Sequence, residues 1–165
     1  MSNSNTELLR VQLRWMNEKD LDFVYELEQK CSSTPWGAME FANVLMHSNS
    51  VGLVVEYQSR IIGYVIYETF EGRLEISNVA VLPEFRRKGV GSQMIARLAC
   101  RLTRFSRNEI RLTVRESNLA AQLFFRSLGF KAVSIRRADA EIPEDVYVMQ
   151  YRHHARILPT EMVLN

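Results

Sequence analysis

The sequence is poor in the residues that mark specialised scaffolds. Its 165 residues hold two cysteines, Cys31 and Cys100. Neither stands at metal-ligand spacing, which argues against a zinc site and a disulfide framework. A reduced, cytoplasmic protein with no metal is the simplest expectation. Cys100 falls in an apolar helical stretch and is expected to be a core thiol. No apolar run approaches the roughly 18 residues of a membrane span, so no membrane association is expected. Met1 to Arg10 is polar and has no apolar signal core. There is no internal repeat and no low-complexity segment. Net charge is only +2. Nucleic-acid binding needs a concentrated basic face, and here acidic residues interleave with the basic ones, so no nucleic acid is expected as a partner.

The rest of the composition is that of an ordinary globular chain, 47% apolar and 24% charged. The length fits one domain with one core, expected over about 10–152, with 153–165 left unassigned. Asn17 can cap a helix that starts near Glu18 and carries Leu21, Val24, Tyr25 and Leu27 at helical spacing. Ser32-Ser33-Thr34-Pro35 ends it, and a short helix is expected over Ala38 to Met46. Val51–Tyr57, Arg60–Phe70 and Arg73–Leu82 read as three strands joined by turns at Gln58-Ser59 and Glu71-Gly72, with Pro83 ending the third. Gly89 to Phe105 reads as a long helix with Val90, Met94, Ile95, Leu98, Leu102 and Phe105 along one side. A strand over Glu109–Val114 follows, then a helix over Asn118–Leu128 with Leu119, Leu123 and Phe124 inward. Gly129 ends that helix, and Phe130–Arg136 and Asp145–Arg152 are the last strands. An antiparallel meander followed by strand, helix, strand, helix, strand predicts an α/β or α+β sheet of mixed direction.

The most informative stretch is Val79-Ala80-Val81-Leu82-Pro83-Glu84-Phe85-Arg86-Arg87-Lys88-Gly89-Val90-Gly91-Ser92. An apolar strand enters a turn, and the turn opens the long helix. The first N–H groups of a helix have no internal partner and carry the positive end of its dipole, so such a start holds phosphate. Gly89 and Gly91 remove side chains that would keep a ligand off the backbone. The run is neither a Walker loop nor Gly-x-Gly-x-x-Gly.

Arg86-Arg87-Lys88-Gly89-Val90-Gly91 resembles the Arg/Gln-x-x-Gly-x-Gly/Ala motif of the GNAT acetyltransferase superfamily. The resemblance implies a single GNAT-like domain whose central, mixed and mostly antiparallel sheet of six to seven strands is flanked by about four helices. It also implies that Arg86 to Ser92 holds the pyrophosphate of acetyl-CoA, and that Val79, Ala80 and Val81 pair with the pantetheine arm like an added strand. Val114-Arg115-Glu116-Ser117-Asn118-Leu119-Ala120-Ala121, followed by Phe125-Arg126-Ser127-Leu128-Gly129-Phe130, resembles the Val-Arg-x-Ser-Asn-x-x-Ala…Tyr-x-x-x-Gly-Phe pattern of N-terminal acetyltransferases. There Asn118 matches an asparagine that contacts the cofactor arm, and it is equally a helix N-cap. Pro35-Trp36 with Phe41, and Glu144-Asp145-Val146-Tyr147-Val148-Met149, resemble the RimI group, which acetylates the N-terminal alanine of a ribosomal protein.

Acetyl transfer from a thioester to an amine needs a base, donors for the oxyanion, and a proton for the departing thiolate. The main-chain N–H of Val79 or Val81 is the candidate oxyanion donor. The RimI pattern has its base glutamate where this chain has Thr113, and its tyrosine acid where this chain has Phe125, and neither residue here can move a proton. Glu75, six residues before Val81, resembles the general base of histone-type members and is the candidate base. If it shares the face of Val79 and Val81, strand alternation puts it on the cofactor side, unless a bulge resets the count. Tyr147, with Tyr151 behind it, is the candidate acid, since a phenol with a pKa near 10 suits donation to a thiolate. The expected activity is acetyl-CoA-dependent N-acetylation of a protein or peptide N-terminus. The alternatives are a small amine or antibiotic as acceptor, or a non-catalytic acyl-CoA-binding module.

Overall fold

One seven-stranded sheet organises the chain, in the order β1-β2-β3-β4-β5-β7-β6. Its strands are β1 Gln12–Trp15, β2 Ser50–Tyr57, β3 Arg60–Phe70, β4 Arg73–Val81, β5 Glu109–Arg115, β6 Lys131–Arg136 and β7 Val146–Arg152. The helices are α1 Leu21–Cys31, α2 Ala38–Leu45, α3 Val90–Arg104 and α4 Leu119–Ser127. The structure, a computed structural model, describes residues 8–104 and 107–153. Phe105, counted above on the inner side of the long helix, and the tail beyond His153 lie outside the described residues.

The meander β2-β3-β4 is antiparallel, as the alternation of its apolar residues and its two tight turns predict. Every pair in the sheet is antiparallel except β4 with β5, because α3 carries the chain back over the sheet between them. The long helix buries Val90, Met94, Ile95, Leu98 and Leu102 as its periodicity requires. Asn17 closes a capping box with Asp20 ahead of α1, each side chain accepting from the other residue's end of the turn.

Alternation along the strands sorts the core into two layers. Tyr64 and Ile66 of β3 face α1 and α2, where Tyr64 meets Phe41 at a ring distance of 5.8 Å. Val65 and Tyr67 face the other way, toward α3, and Tyr151 of β7 and Phe125 of α4 meet on that side through Phe130.

Three expectations are corrected. β1 was not anticipated: four residues at an edge carry too short an alternation to stand out. Leu119 and Leu123 are 61% and 56% exposed, because α4 turns Ala121, Phe124, Phe125 and Leu128 to the core instead. Cys100 is exposed while Cys31 is the half-buried thiol, since the buried stripe of α3 runs through its neighbours Leu98 and Leu102.

Candidate active site

The site begins with an irregularity in β4. Ile66 pairs with Asn78 and the next residue, Tyr67, pairs with Ile76, so Ser77 is an extra residue, a β-bulge. Below the bulge β4 pairs with β5 from Arg73↔Glu109 to Ile76↔Leu112, and there the parallel ladder ends. Beyond it β4 continues beside β3 to Val81, while β5 continues beside β7 to Arg115. The sheet therefore splits between its two parallel strands at Ser77.

The orientation of the open edge follows from one hydrogen bond. Leu82 N–H donates to Ile62 O at 2.9 Å, which turns Leu82 toward β3. Backbone groups alternate along a strand, so Ala80 also points to β3, while the N–H and C=O groups of Val79 and Val81 point into the split. The Val81 carbonyl is already engaged by Arg86 Nε at 2.8 Å and by the Cys31 thiol at 3.4 Å. That leaves the amides of Val79 and Val81 as donors to the gap. Burial raises the pKa of the Cys31 thiol, with Arg86 opposing it.

Above the gap the chain turns through Pro83–Phe85 and residues 86–89 into α3. Gly89 has φ +77°, a left-handed conformation that favours glycine, and Arg87 stands at +62°. Gln93 N–H takes the Gly89 carbonyl at 3.1 Å. The amides of Val90, Gly91 and Ser92 precede the first intrahelical bond and have no helical partner. Val90 itself is buried, whereas Arg86, Arg87 and Ser92 are exposed and Lys88 is half-buried with its ammonium 5.8 Å from the Phe85 ring centre. The flank of this turn is held by the segment before β1: Leu9 N–H donates to Lys88 O at 3.1 Å, and Gln93 Nε2 donates to Leu9 O at 2.6 Å. Gly91 has a packing role besides its amide. A Cβ there would lie 2.8 Å from Phe124 of α4, so its missing side chain lets α3 and α4 touch.

Asn118 caps α4, its Oδ1 accepting from Ala121 N–H at 3.1 Å. The turn ahead of it is fixed by Glu144, which accepts from Ser117 N–H and Arg115 Nη1, both at 3.1 Å. Hydrogen bonds from Ser117 and Arg115 hold the Glu144 carboxyl below the usual carboxylate range.

The two candidate proton-transfer residues lie on opposite faces of the sheet. Because of the bulge, Glu75 shares a face with Asn78 and Ala80, not with Val79 and Val81. It projects to the α1/α2 side, paired across the sheet with Glu68 and in register with Arg111, with Arg73 Nε 3.4 Å away. Glu68 is held by Ser77 Oγ at 3.2 Å and His47 Nδ1 at 3.0 Å. Tyr147 pairs with Val114 and faces the α3/α4 side. There it lines a cavity of about 370 Å³ with Gln122, Arg126, Phe130 and Lys131. Thr113 is exposed, and Phe125 is buried in an edge-to-face stack with Phe124 and Phe130 at 5.0 and 5.2 Å. Among the described residues no cluster of three or more His, Cys, Asp or Glu side chains could hold a metal.

One residue escaped the sequence reading. Glu28 of α1 is 2% exposed. Its carboxylate accepts from Tyr64 Oη at 2.8 Å, Trp36 N–H at 3.1 Å and Asn78 Nδ2 at 3.3 Å. It thus ties α1, the loop before α2, β3 and the first residue of β4 past the bulge. Burial and the facing carboxylate push the Tyr64 hydroxyl far above its ordinary pKa, so it stays a donor. In sequence Glu28 is an unremarkable polar residue on an amphipathic helix.

With this geometry in view, the likeness to known proteins is informative. Residues 21–130 match the model of the acetyltransferase (GNAT) family. The chain is 30% identical over 122 residues to the Escherichia coli [ribosomal protein bS18]-alanine N-acetyltransferase, covering 72% of this chain and 79% of that one. The crystal structure of the ribosomal-protein alanine N-acetyltransferase from Escherichia coli superposes with a TM-score of 0.78 at 24% identity, over 91% of this chain and 99% of the other. Arabidopsis thaliana Naa50 in complex with the bisubstrate analogue CoA-Ac-MVNAL superposes with a TM-score of 0.72 at 20% identity, over 87% and 99% of the two chains. The class is therefore an α/β acetyltransferase fold. The chain belongs to the acetyltransferase (GNAT) family.

Proposed function

We propose that the chain moves an acetyl group from acetyl-CoA to the N-terminal α-amine of a protein or peptide. The observation that carries this reading is the split between β4 and β5, which puts two free strand amides directly below a helix start with three free amides. Such an edge can pair with an extended amide-bearing arm as an added strand would. Such a helix start suits the diphosphate that ends the arm. The amides of Val90, Gly91 and Ser92, reached past Gly89, are the proposed phosphate donors. Arg87, exposed, and Lys88, half-buried, supply positive charge, Arg86 clamps the turn to Val81, and Asn118 offers its Nδ2 from the opposite wall. The half-buried loop residue Trp36, whose N–H donates to Glu28, and the relatives' named acceptor favour a protein N-terminus.

The thioester supplies an activated acetyl carbon and a thiolate leaving group. Glu75, acting through a water, takes the proton of the incoming amine from the α1/α2 side. As the C–N bond forms, the amide of Val79 or Val81 donates to the carbonyl oxygen, a contact typically worth a few kcal/mol. As the C–S bond breaks, Tyr147 is the proposed proton source on the α3/α4 side. Opposite faces for base and acid fit a transfer across a split sheet, where amine and thiolate stand on opposite sides of the acyl carbon.

The test follows thiol release from acetyl-CoA with an alanine-initiated peptide, the same peptide blocked at its α-amine, and spermidine. Acetylation of the free peptide alone, found by mass spectrometry at the α-amine, is expected. Preference for spermidine would replace the acceptor, and no release with any amine would leave a binding module. Glu75→Gln is expected to lower turnover by roughly 10²-fold with acetyl-CoA affinity unchanged. Full activity in that variant would remove Glu75 from the mechanism.

A further inference from the structure

A second cavity lies at the far end of the sheet from the helix start. It measures about 220 Å³ and is lined by Val51, Tyr67, Thr69, Leu74, Arg101 and Arg107. These residues come from the first residues of β2 and β4, the last of β3, the end of α3 and the loop that follows it. Among the described residues no carboxylate lines it. Tyr67 is 1% exposed, and its hydroxyl is fully buried without a hydrogen-bond partner among the described residues. Arg101 Nε is likewise buried and unpartnered, while the guanidinium stacks 4.3 Å above the Trp15 ring. Burial raises the Tyr67 pKa, and Arg101, Arg107 and Arg97 oppose it, so the phenol stands in a positive field and remains a donor. Arg107 Nε donates to Phe70 O at 3.0 Å, which fixes that side chain at the cavity.

A buried donor without a partner is costly to fold around, and a buried guanidinium more so. The Tyr67 hydroxyl and the Arg101 guanidinium lie against each other here, and the Tyr67 proton and Arg101 Nε left without an acceptor suit an anion. The Val51 and Leu74 side chains and the Tyr67 ring form an apolar part of the wall, and the Thr69 hydroxyl beside them donates to Asn49 O at 3.2 Å. The volume exceeds the roughly 150 Å³ that admits benzene in an apolar cavity. We propose that this cavity is a binding site for a small monocarboxylate with a short apolar body, its carboxylate held by Arg101, Arg107 and the Tyr67 hydroxyl. The site is separate from the split between β4 and β5, and its occupancy does not depend on acetyl transfer.

Trp15 lies against Arg101 and serves as the reporter. Butyrate is titrated at constant ionic strength while tryptophan fluorescence is followed, with butyramide and inorganic phosphate as controls. Saturable quenching or enhancement by butyrate, absent with butyramide, is expected. Tyr67→Phe is expected to weaken it about tenfold, the loss of one hydrogen bond to a charged group. Arg101→Gln is expected to abolish it, with circular dichroism showing that the variant is folded. Because Arg101→Gln also alters the Trp15 environment, calorimetric titration is run on each variant. No saturable heat with wild type would overturn the proposal, as would equal binding in Tyr67→Phe and Arg101→Gln. Phosphate binding as tightly as butyrate would overturn the assignment of an apolar body.

Discussion

Glu28 shows how one side chain can determine a site's shape without lying in the open. Three donors from three parts of the fold converge on it, and no cation is among them. Glu28→Ala would strand the Tyr64 hydroxyl, the Asn78 amide and the Trp36 N–H, at a cost of about 3 kcal/mol measured by urea denaturation. Glu28→Gln keeps the volume and is expected to cost less, while raising the KM for a peptide acceptor more than it lowers kcat. Asp20 makes the corresponding case for pH. The hydrogen bond from Arg14, with the Asn17 amide adding to it, lowers its pKa, with Arg14 Nη1 at 2.7 Å and Nη2 at 2.8 Å. A lowered folded pKa means that the stabilisation is full above the unfolded value, about 3.9, and is lost as pH falls through the lower folded value. Acid unfolding of Asp20→Asn, followed between pH 5 and about 2, should show a shallower fall in stability than wild type. An identical slope would mean that the pair adds nothing. Glu28 was invisible in the sequence because burial of a polar residue is decided by partners 8, 36 and 50 positions away.

At the scale of elements, local chemistry carried most of the information. β3 was expected over Arg60–Phe70 and is found there, because tight two-residue turns bound it at both ends. The turn before it uses Gln58 and Ser59 at φ +49° and +62°, where Asn-Gly is the favoured pair. Ser59→Gly is therefore expected to stabilise the protein by about 0.5–1 kcal/mol and raise its melting temperature by roughly 2 °C. The inward side of α4 was not legible. Its nine residues carry two apolar stripes, and only contact with α3 and β7 selects Phe124 and Phe125 over Leu119 and Leu123. The contact of Phe124 with Gly91 makes this selection testable. Gly91→Ala should cost about 1–3 kcal/mol by overpacking, and much less in a Phe124→Leu background. Equal costs in the two backgrounds would show that the helices do not meet there. The face of Glu75 was not legible either, since a bulge leaves no mark in a sequence of β-formers.

At the scale of the whole molecule, the sheet divides the work between its two faces. α1, α2 and their loop cover one face, and α3 and α4 cover the other. The parallel pair at the centre opens only at the end where α3 begins. The run from Val79 to Ser92 announced this arrangement in the sequence because its parts are consecutive. The packing partners of that run, Phe124 of α4 and the segment before β1, could be placed only by the fold. The central claim is that free amides at the split and at the start of α3 hold acetyl-CoA. Its most direct test is calorimetric titration of acetyl-CoA into wild type and into Gly89→Glu, with circular dichroism confirming that both are folded. The account predicts one saturable site per chain in wild type and no measurable binding in Gly89→Glu, where bulk and negative charge meet the diphosphate. Equal binding by the two proteins, or none by wild type, would contradict it.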